Sequence, residues 1–296
     1  MREAAGTGDT NQSRTSSEWA DTDRSSDQAL ILAAGVSRRM GLPDLPKCML
    51  PLAEDDPGHT FLQRHIDLLR KGGIEDVAVV LSRSAAERKP PIDGATVVVS
   101  PFDTSATGST LSVLCGLRAL DPVGDAGVLI SDADIVYERA LLHWILDRRE
   151  RSSVFVTPRI AGDEEEVRVY GEPGGSPKLI GKGLPATLTG GLELLGESLG
   201  IVYVAAPDRS FVQAAAEWLA GWPSDQPGYG YAKERSEHEE VWQYAFSLGR
   251  IGVESAADHL LLSECDTPED YRRVLDELYP EIRRRDAEAG ADREDG

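Results

Sequence analysis

Residues 29–40 read Ala29-Leu30-Ile31-Leu32-Ala33-Ala34-Gly35-Val36-Ser37-Arg38-Arg39-Met40, and Pro46-Lys47 follows after a short interval. The apolar run Ala29 to Ala33 reads as a buried parallel strand, because such strands are covered on both faces and lose the polar alternation of a half-exposed one. A turn of small residues follows at once. Ala34 and Gly35 let backbone approach a ligand closely, and free N–H groups in such a turn can hold phosphate oxygens. Arg39 and Lys47 add mobile positive charge that suits a polyphosphate. Two other phosphate-binding patterns are absent: the sequence contains neither GxxxxGK[ST] nor GxGxxG.

Working outward, the same alternation repeats. Thr60 is placed to cap a helix carrying Phe61, Leu62, Ile66 and Leu69 on one face, stopped by Gly72-Gly73. Val77 to Leu81 and Thr96 to Val99 read as strands. Gly108-Ser109-Thr110 opens a helix bearing Leu111, Leu114 and Leu117. Gly127 to Ile130 is a further apolar strand, ending in the acidic turn Ser131-Asp132-Ala133-Asp134. Strands alternating with amphipathic helices predict an α/β fold: three layers, α/β/α, around a mostly parallel, Rossmann-like mixed sheet. Ligands of such sheets collect beyond the carboxyl ends of the strands. The turns at Gly35, at Thr107-Gly108-Ser109 and at Asp134 all fall there.

Farther on, Val154 to Thr157 and Val167 to Tyr170 read as strands, with Pro173-Gly174-Gly175 as a hairpin turn. Ile201 to Ala205 is another strand and Phe211 to Leu219 a helix. The last helix starts at Thr267-Pro268-Glu269-Asp270, with Thr267 as cap, Pro268 at the first helical position and Asp270 completing a capping box. The simplest partition is one domain over residues 28–279. Residues 1–27, rich in Ser, Thr, Asp, Arg and Gly, are expected to form a disordered tail, because they bury too little surface to offset ordering entropy. Residues 280–296 are expected to form a polar C-terminal tail, able to continue the last helix for a turn or two.

The 296-residue chain carries a formal charge of −20, which argues against a nucleic-acid backbone or an anionic membrane as partner. Small anionic substrates remain compatible, since a few cations in one cleft reverse the local field. Cys48, Cys115 and Cys265 show no CxxC pairing and no neighbouring His cluster, so neither a zinc site nor a disulfide framework is indicated. A reducing, cytoplasmic location is expected. No run of residues is long and apolar enough to read as a membrane span.

The segment from Leu32 to Met40 with Pro46-Lys47 resembles the signature of nucleotidyltransferases with a GT-A-like fold, LAAGxGxRM followed by PK. Later segments are similar to the branch that makes CDP-linked small molecules, the phosphocholine and phosphonate cytidylyltransferases. These are Pro101-Phe102 with Thr107-Gly108-Ser109, Asp134-Ile135-Val136, Glu165-Glu166-Val167-Arg168-Val169, Gly181-Lys182, Gly196-Glu197-Ser198-Leu199-Gly200, and Glu264-Cys265-Asp266-Thr267-Pro268-Glu269-Asp270. Departures are Ser37 for the second Gly of the first motif, Ala133 before Asp134, and Cys265 for an aliphatic residue. None removes a charged group.

The resemblance implies a cytidylyltransferase that uses CTP and Mg2+ and acts on a small phosphonate or phosphomonoester, such as 2-aminoethylphosphonate, a hydroxyalkylphosphonate or a phosphocholine-like acceptor. Arg39 and Lys47 are its expected catalytic cations. Leu32, Ala33, Ala34, Gly35, Ser37, Thr107, Gly108 and Ser109 are expected to hold the nucleotide, Lys182 and Glu197 the acceptor, and Asp134 and Asp266 the metal. A homodimer is compatible with this reading. Each residue alone has a plainer explanation: Asp134 as a polar strand end, Asp266 as a helix-start acid, Lys182 as a surface lysine, and Glu165 and Glu166 as a solvated face. The aromatics Trp222, Tyr229, Tyr231, Trp242 and Tyr244 near Glu237, Glu239 and Glu240 suit either a core or a cage for a cationic acceptor. The alternatives are a sugar-1-phosphate nucleotidyltransferase with a different acceptor pocket, and a non-catalytic nucleotide-binding regulator.

Overall fold

The computed structural model describes residues 27–291, except 36, 38, 42–45, 54–55, 102–107, 122–123, 161–165 and 222–235. The expected tail at 1–26, Thr107, Glu165, Trp222, Tyr229 and Tyr231 lie outside the described residues. In chain order the elements are β1 (Gln28–Leu32), a 3-10 turn at Lys47–Met49, α1 (Phe61–Lys71), β2 (Asp76–Leu81), α2 (Arg83–Arg88), β3 (Thr96–Val99), α3 (Thr110–Ala119), β4 (Val128–Asp132), β5 (Ile135–Tyr137), α4 (Arg139–Leu146) and β6 (Ser153–Thr157). There follow β7 (Arg168–Gly171), β8 (Pro177–Gly181), α5 (Ala186–Thr189), β9 (Glu193–Val204), α6 (Ala206–Ala220), α7 (Glu239–Ser247), β10 (Gly252–Ser255), β11 (Leu262–Glu264), α8 (Pro268–Arg273), a π-helical turn (Val274–Leu278) and α9 (Tyr279–Ala291).

The main sheet runs β10-β6-β9-β4-β1-β2-β3, with β7 pairing β9 and β8. Strand β1 is central and parallel to both neighbours, pairing Leu32 with Val80 of β2 and with Asp132 of β4. Strand β9 runs antiparallel between β4 and β6, which makes the sheet mixed. The two faces of β1 feed separate cores. Ala29, Ile31 and Ala33 pack with α1 and α4, while Leu30, Leu32 and Ala34 pack with α3, α6 and α7. Such a strand must be apolar on both sides, and that is why the stretch from Ala29 to Ala34 has no alternation.

The local signals act as read from the sequence. Thr60 Oγ1 accepts the N–H of Gln63 at 3.1 Å, and Thr267 and Asp270 form a reciprocal capping box at the start of α8. The Pro173-Gly174-Gly175 turn joins β7 to β8 in a hairpin. Strand β9 is longer than the reading of Ile201 to Ala205, starting at Glu193, because its first half pairs with β7 outside the apolar core.

The chain also stays folded past residue 279, where the sequence reading ends the domain. Helix α9 runs to Ala291 and buries Ile282 completely. Its Asp286 forms an ion pair with the buried Arg64 of α1 at 3.2 Å and accepts the N–H of Arg139 at the start of α4 at 2.8 Å. Arg64 also lies over the rings of Tyr137 and Tyr279. Two buried core residues, Tyr279 and Ile282, are too few to register as helical periodicity, and the Asp286 contacts are polar. Replacing Asp286 with Ala leaves Arg64 buried without its carboxylate, a loss of about 3 kcal/mol by analogy with broken buried pairs. Denaturant unfolding of Asp286→Ala against wild type measures it, and a change below about 0.5 kcal/mol would assign α9 no part in the fold's stability.

Candidate active site

The first motif and its distant lysine are joined by a hydroxyl. Ser37 Oγ accepts the backbone N–H of Lys47 at 2.6 Å, so the residue that departs from the family's glycine fastens the two halves of the signature together. The 3-10 turn at Lys47–Met49 then buries Cys48 and Met49 and leaves the Lys47 side chain facing the site. Leu32, Ala33 and Ala34 have buried side chains, so what they offer a ligand is backbone. Among the described residues beyond its own chain neighbours, no atom comes within 4 Å of where a Cβ on Gly35 would stand.

Two carboxylates from distant parts of the chain meet at Lys47. Asp134 stands two residues past the end of β4 and immediately before β5; Asp266 stands two residues past the end of β11 and just before the cap of α8. Strands β5 and β11 pair antiparallel, Ile135 with Glu264 and Val136 with Ser263. The N–H of Cys265 donates to the carbonyl of Asp134 at 3.0 Å. This ladder sets the two acids side by side, and the Lys47 ammonium contacts both carboxylates. Arg39 reaches the other oxygen of Asp266 at 3.0 Å. Burial alone would lower the Lys47 pKa, but the attraction of Asp134 and Asp266 outweighs it and raises the value. Burial would likewise raise Asp266, but Lys47, then Arg39 and Lys182, hold its carboxyl below the usual range.

The surrounding cavity, of about 180 Å3, is lined by Arg39, Lys47, Ser109, Asp134, Lys182 and Asp266 of the expected set. Asp132, Glu166, Glu237, His238, Glu239 and Glu264 line it too. Lys182 follows β8, whose edge is covered by the buried Gln243 of α7. Gln243 accepts the N–H of Ile180 at 3.0 Å and donates to the carbonyl of Lys178 at 2.9 Å. Burial would lower the Lys182 pKa, but Glu239, Glu264, Asp132 and Asp266 raise it. Glu197 lines a second cavity of about 360 Å3, which shares Glu166, Ser198, Glu264 and Asp266 with the first. Between β9 and β4, Gly200 adopts φ +64°, and a Cβ there would come within 2.8 Å of Asp132 Oδ2.

A family model for the MobA-like NTP transferase domain matches residues 29–188. The chain belongs to this family. No curated protein sequence matches it. Among solved structures it is similar to an inositol-1-phosphate CTP transferase from T. maritima, at 19% identity and TM-score 0.63, covering 86% of this chain and 96% of that one. It is also similar to a UDP-glucose pyrophosphorylase complexed with UDP-glucose, at 15% identity and TM-score 0.62, covering 86% and 99%. A putative glucose-1-phosphate thymidylyltransferase from Bacillus anthracis matches at 13% identity and TM-score 0.58, covering 84% and 93%. These likenesses establish the GT-A-like nucleotidyltransferase fold, and with the family they make the chain a nucleotidyltransferase.

Nucleotidyltransferases of this family generally use a divalent metal. Among the described residues no group of three or more His, Cys, Asp or Glu side chains converges as a metal cage. Asp134 and Asp266 fit a hard cation differently, as two carboxylates aimed at one point where a positive group already sits. Magnesium is commonly held by one or two carboxylates together with phosphate oxygens and waters.

The reading of the aromatic region divides. Trp242 lines the cavity, whereas Tyr244 packs on Phe211 and Trp218. Sequence reasoning missed His238 and Asp132; the only signal was their place inside acidic runs, which usually mark solvated surface. Among the described residues no helix is long and apolar enough to cross a membrane.

The Lys47 bridge has a pH consequence. Asp266, depressed in the fold, contributes stability above its unfolded pKa that is lost as pH falls through the folded one. Lys47, raised in the fold, contributes below its unfolded value of about 10.4 and loses it as pH rises through the folded one. The pair's contribution is therefore flat between pH 5 and 8. In Lys47→Met the two carboxylates lose the cation that contacts both, and Arg39 remains on Asp266. That variant is expected to lose roughly 2 kcal/mol or more at pH 7 and to regain part of it toward pH 5 as one carboxylate protonates. Thermal unfolding across that range reads the effect; a flat profile in the variant would deny the repulsion.

Proposed function

We propose that this nucleotidyltransferase transfers CMP from CTP to a small phosphonate or phosphomonoester and releases pyrophosphate. The observation that carries the reading is the meeting of Lys47, Asp134, Asp266 and Arg39 in one cavity with Lys182. The order of motifs along the chain supports the cytidylyl branch, and the fold shared with an inositol-1-phosphate CTP transferase is in keeping with it.

An acceptor oxygen attacks the α-phosphorus of CTP in line. The new P–O bond forms as the bond to the bridging oxygen of the β-phosphate breaks, and pyrophosphate leaves. No residue is needed as a dedicated base, because a phosphate monoester is largely deprotonated at neutral pH, its second pKa being about 6. The obstacle is the meeting of two anions, so positioning and charge neutralisation supply the catalysis. Arg39 and Lys47 hold the triphosphate, and the open backbone at Gly35, with Gly108, approaches the nucleotide. Lys182 holds the acceptor's anionic group, and Glu197 faces its organic part in the adjoining cavity. Asp134 and Asp266 would hold Mg2+, which supplies charge neutralisation at the phosphates. Lys47, which contacts both carboxylates, stands beside the place the metal would take and would share its charge neutralisation at the phosphates. The three cysteines, free in the fold, are in keeping with a cytoplasmic setting.

The test is magnesium-dependent pyrophosphate release with CTP, UTP, GTP and ATP against phosphocholine, 2-aminoethylphosphonate, 2-hydroxyethylphosphonate and glucose-1-phosphate. Turnover is expected with CTP and one of the first three acceptors, reduced at least about 100-fold in Asp134→Ala. Turnover with glucose-1-phosphate alone would replace the acceptor assignment with a sugar-1-phosphate one. Equal background release by wild type and variant would remove catalysis from this site.

A further inference from the structure

His238 lies just before α7 and is absent from the expected site, yet it lines the same cavity as Lys47. Its protonation state can be read from its neighbours. Ser109 Oγ donates to Glu237 Oε2 at 2.8 Å, which places the hydroxyl proton on that bond. The same oxygen lies 2.8 Å from the backbone N of His238 and 3.0 Å from its Nδ1. With its proton directed at Glu237, Ser109 Oγ can only accept from these two groups, so Nδ1 carries a hydrogen. The other ring nitrogen, Nε2, faces the cavity and stands 3.9 Å from Asp132 Oδ2, beyond hydrogen-bond reach. A bare Nε2 lone pair would oppose that carboxylate, so the geometry favours a second proton there.

We propose that His238 is an acceptor-binding residue: as an imidazolium it forms, with Lys182, a two-cation seat for the dianionic phosphonate or phosphate of the acceptor. The assignment rests on the nucleotidyltransferase reading above and extends the acceptor site beyond Lys182. The groups facing the ring are Asp132 from the end of β4, Lys182 from the end of β8, Ser109 from the start of α3, and Glu237, Glu239 and Trp242 from its own segment. Burial would lower its pKa, but Glu239, Asp132 and Glu237 outweigh burial and the nearby Lys182 and raise it. Glu239 and Asp132 act on Lys182 in the same direction, so one pair of carboxylates keeps both cations charged until an anion arrives. The indole of Trp242 meets the imidazole edge-on at 6.3 Å and fixes the ring plane. Ser109, expected to touch the nucleotide, thereby gains a different task through its hydroxyl: it orients His238. A dianion engages both cations, whereas a monoanion engages one, so the seat selects phosphonates and phosphomonoesters over carboxylates and phosphodiesters.

The test uses the full chain and binding rather than turnover, with methylphosphonate as the dianionic probe and methyl acetate as the neutral control. Calorimetry with wild type and His238→Gln is expected to show methylphosphonate binding weakened at least 10-fold in the variant. CTP binding should stay within twofold. Wild-type affinity for the methylphosphonate dianion, corrected for the probe's own second deprotonation, should fall as pH rises through the His238 pKa, a dependence lost in His238→Gln. Nitrogen-15 spectra of the wild-type imidazole should show both ring nitrogens protonated at pH 7 and a shift at Nε2 when methylphosphonate is added, a reading that stands even where the variant does not fold. Equal methylphosphonate affinity in the two proteins, an unmoved Nε2 signal, or a loss confined to CTP would each overturn the assignment. Because the probe carries no base or acceptor tail, failure of the CTP assignment leaves this result readable by itself.

Discussion

The ammonium of Lys47 lies between the carboxylates of Asp134 and Asp266, and the site is organised around that contact. Two acids this close repel unless a cation separates them, and partial burial strengthens the repulsion. Lys47 supplies the cation from a segment tied back to the first motif by Ser37. The proposed metal role of Asp134 and Asp266 rests on the same electrostatics, since a divalent cation between them would meet the need that Lys47 meets here.

Around that centre the charges are sorted by position rather than by number. The chain is strongly acidic, and acids outnumber cations in the cavity itself, yet each cation there stands among carboxylates that keep it charged. Lys182 and His238 share Glu239 and Asp132, while Lys47 and Arg39 share Asp266. An anion entering this cavity would meet cations already oriented by their carboxylates, which lowers the reorganisation needed on binding. The same acids would reject an anion placed a few ångströms away. Net charge thus describes solubility and excluded partners, and the pairing inside the cavity describes the chemistry.

Much of the fold was legible because its causes are local. The unbroken apolar run of β1, the Thr60 cap, the Thr267–Asp270 capping box and the Gly-rich hairpin turn each depend on residues within a few positions of one another. The short strands β5 and β11 were not legible, since three residues apiece give no periodicity and their stability comes from pairing with each other. Residues 280–296 were read as a polar tail able to continue the last helix for a turn or two, because α9 docks through only Tyr279, Ile282 and an ion pair to a distant arginine.

The sequence by itself determined the chemistry available: a turn of small residues after a buried strand, two cations at a fixed interval, and acids near strand ends. These follow from backbone conformation and side-chain charge, which are properties of short segments. Only the tertiary structure decided which groups meet. The β5–β11 ladder brings Asp266 beside Asp134 across more than a hundred residues of chain. The Ser109–Glu237 contact aims His238 at the cavity, and Gln243 secures the strand that carries Lys182. Long-range hydrogen bonds and ion pairs leave no periodic trace in a sequence, because each partner taken alone is an ordinary polar residue. Their meaning comes from burial, which makes an unpartnered charge costly and so fixes the partner.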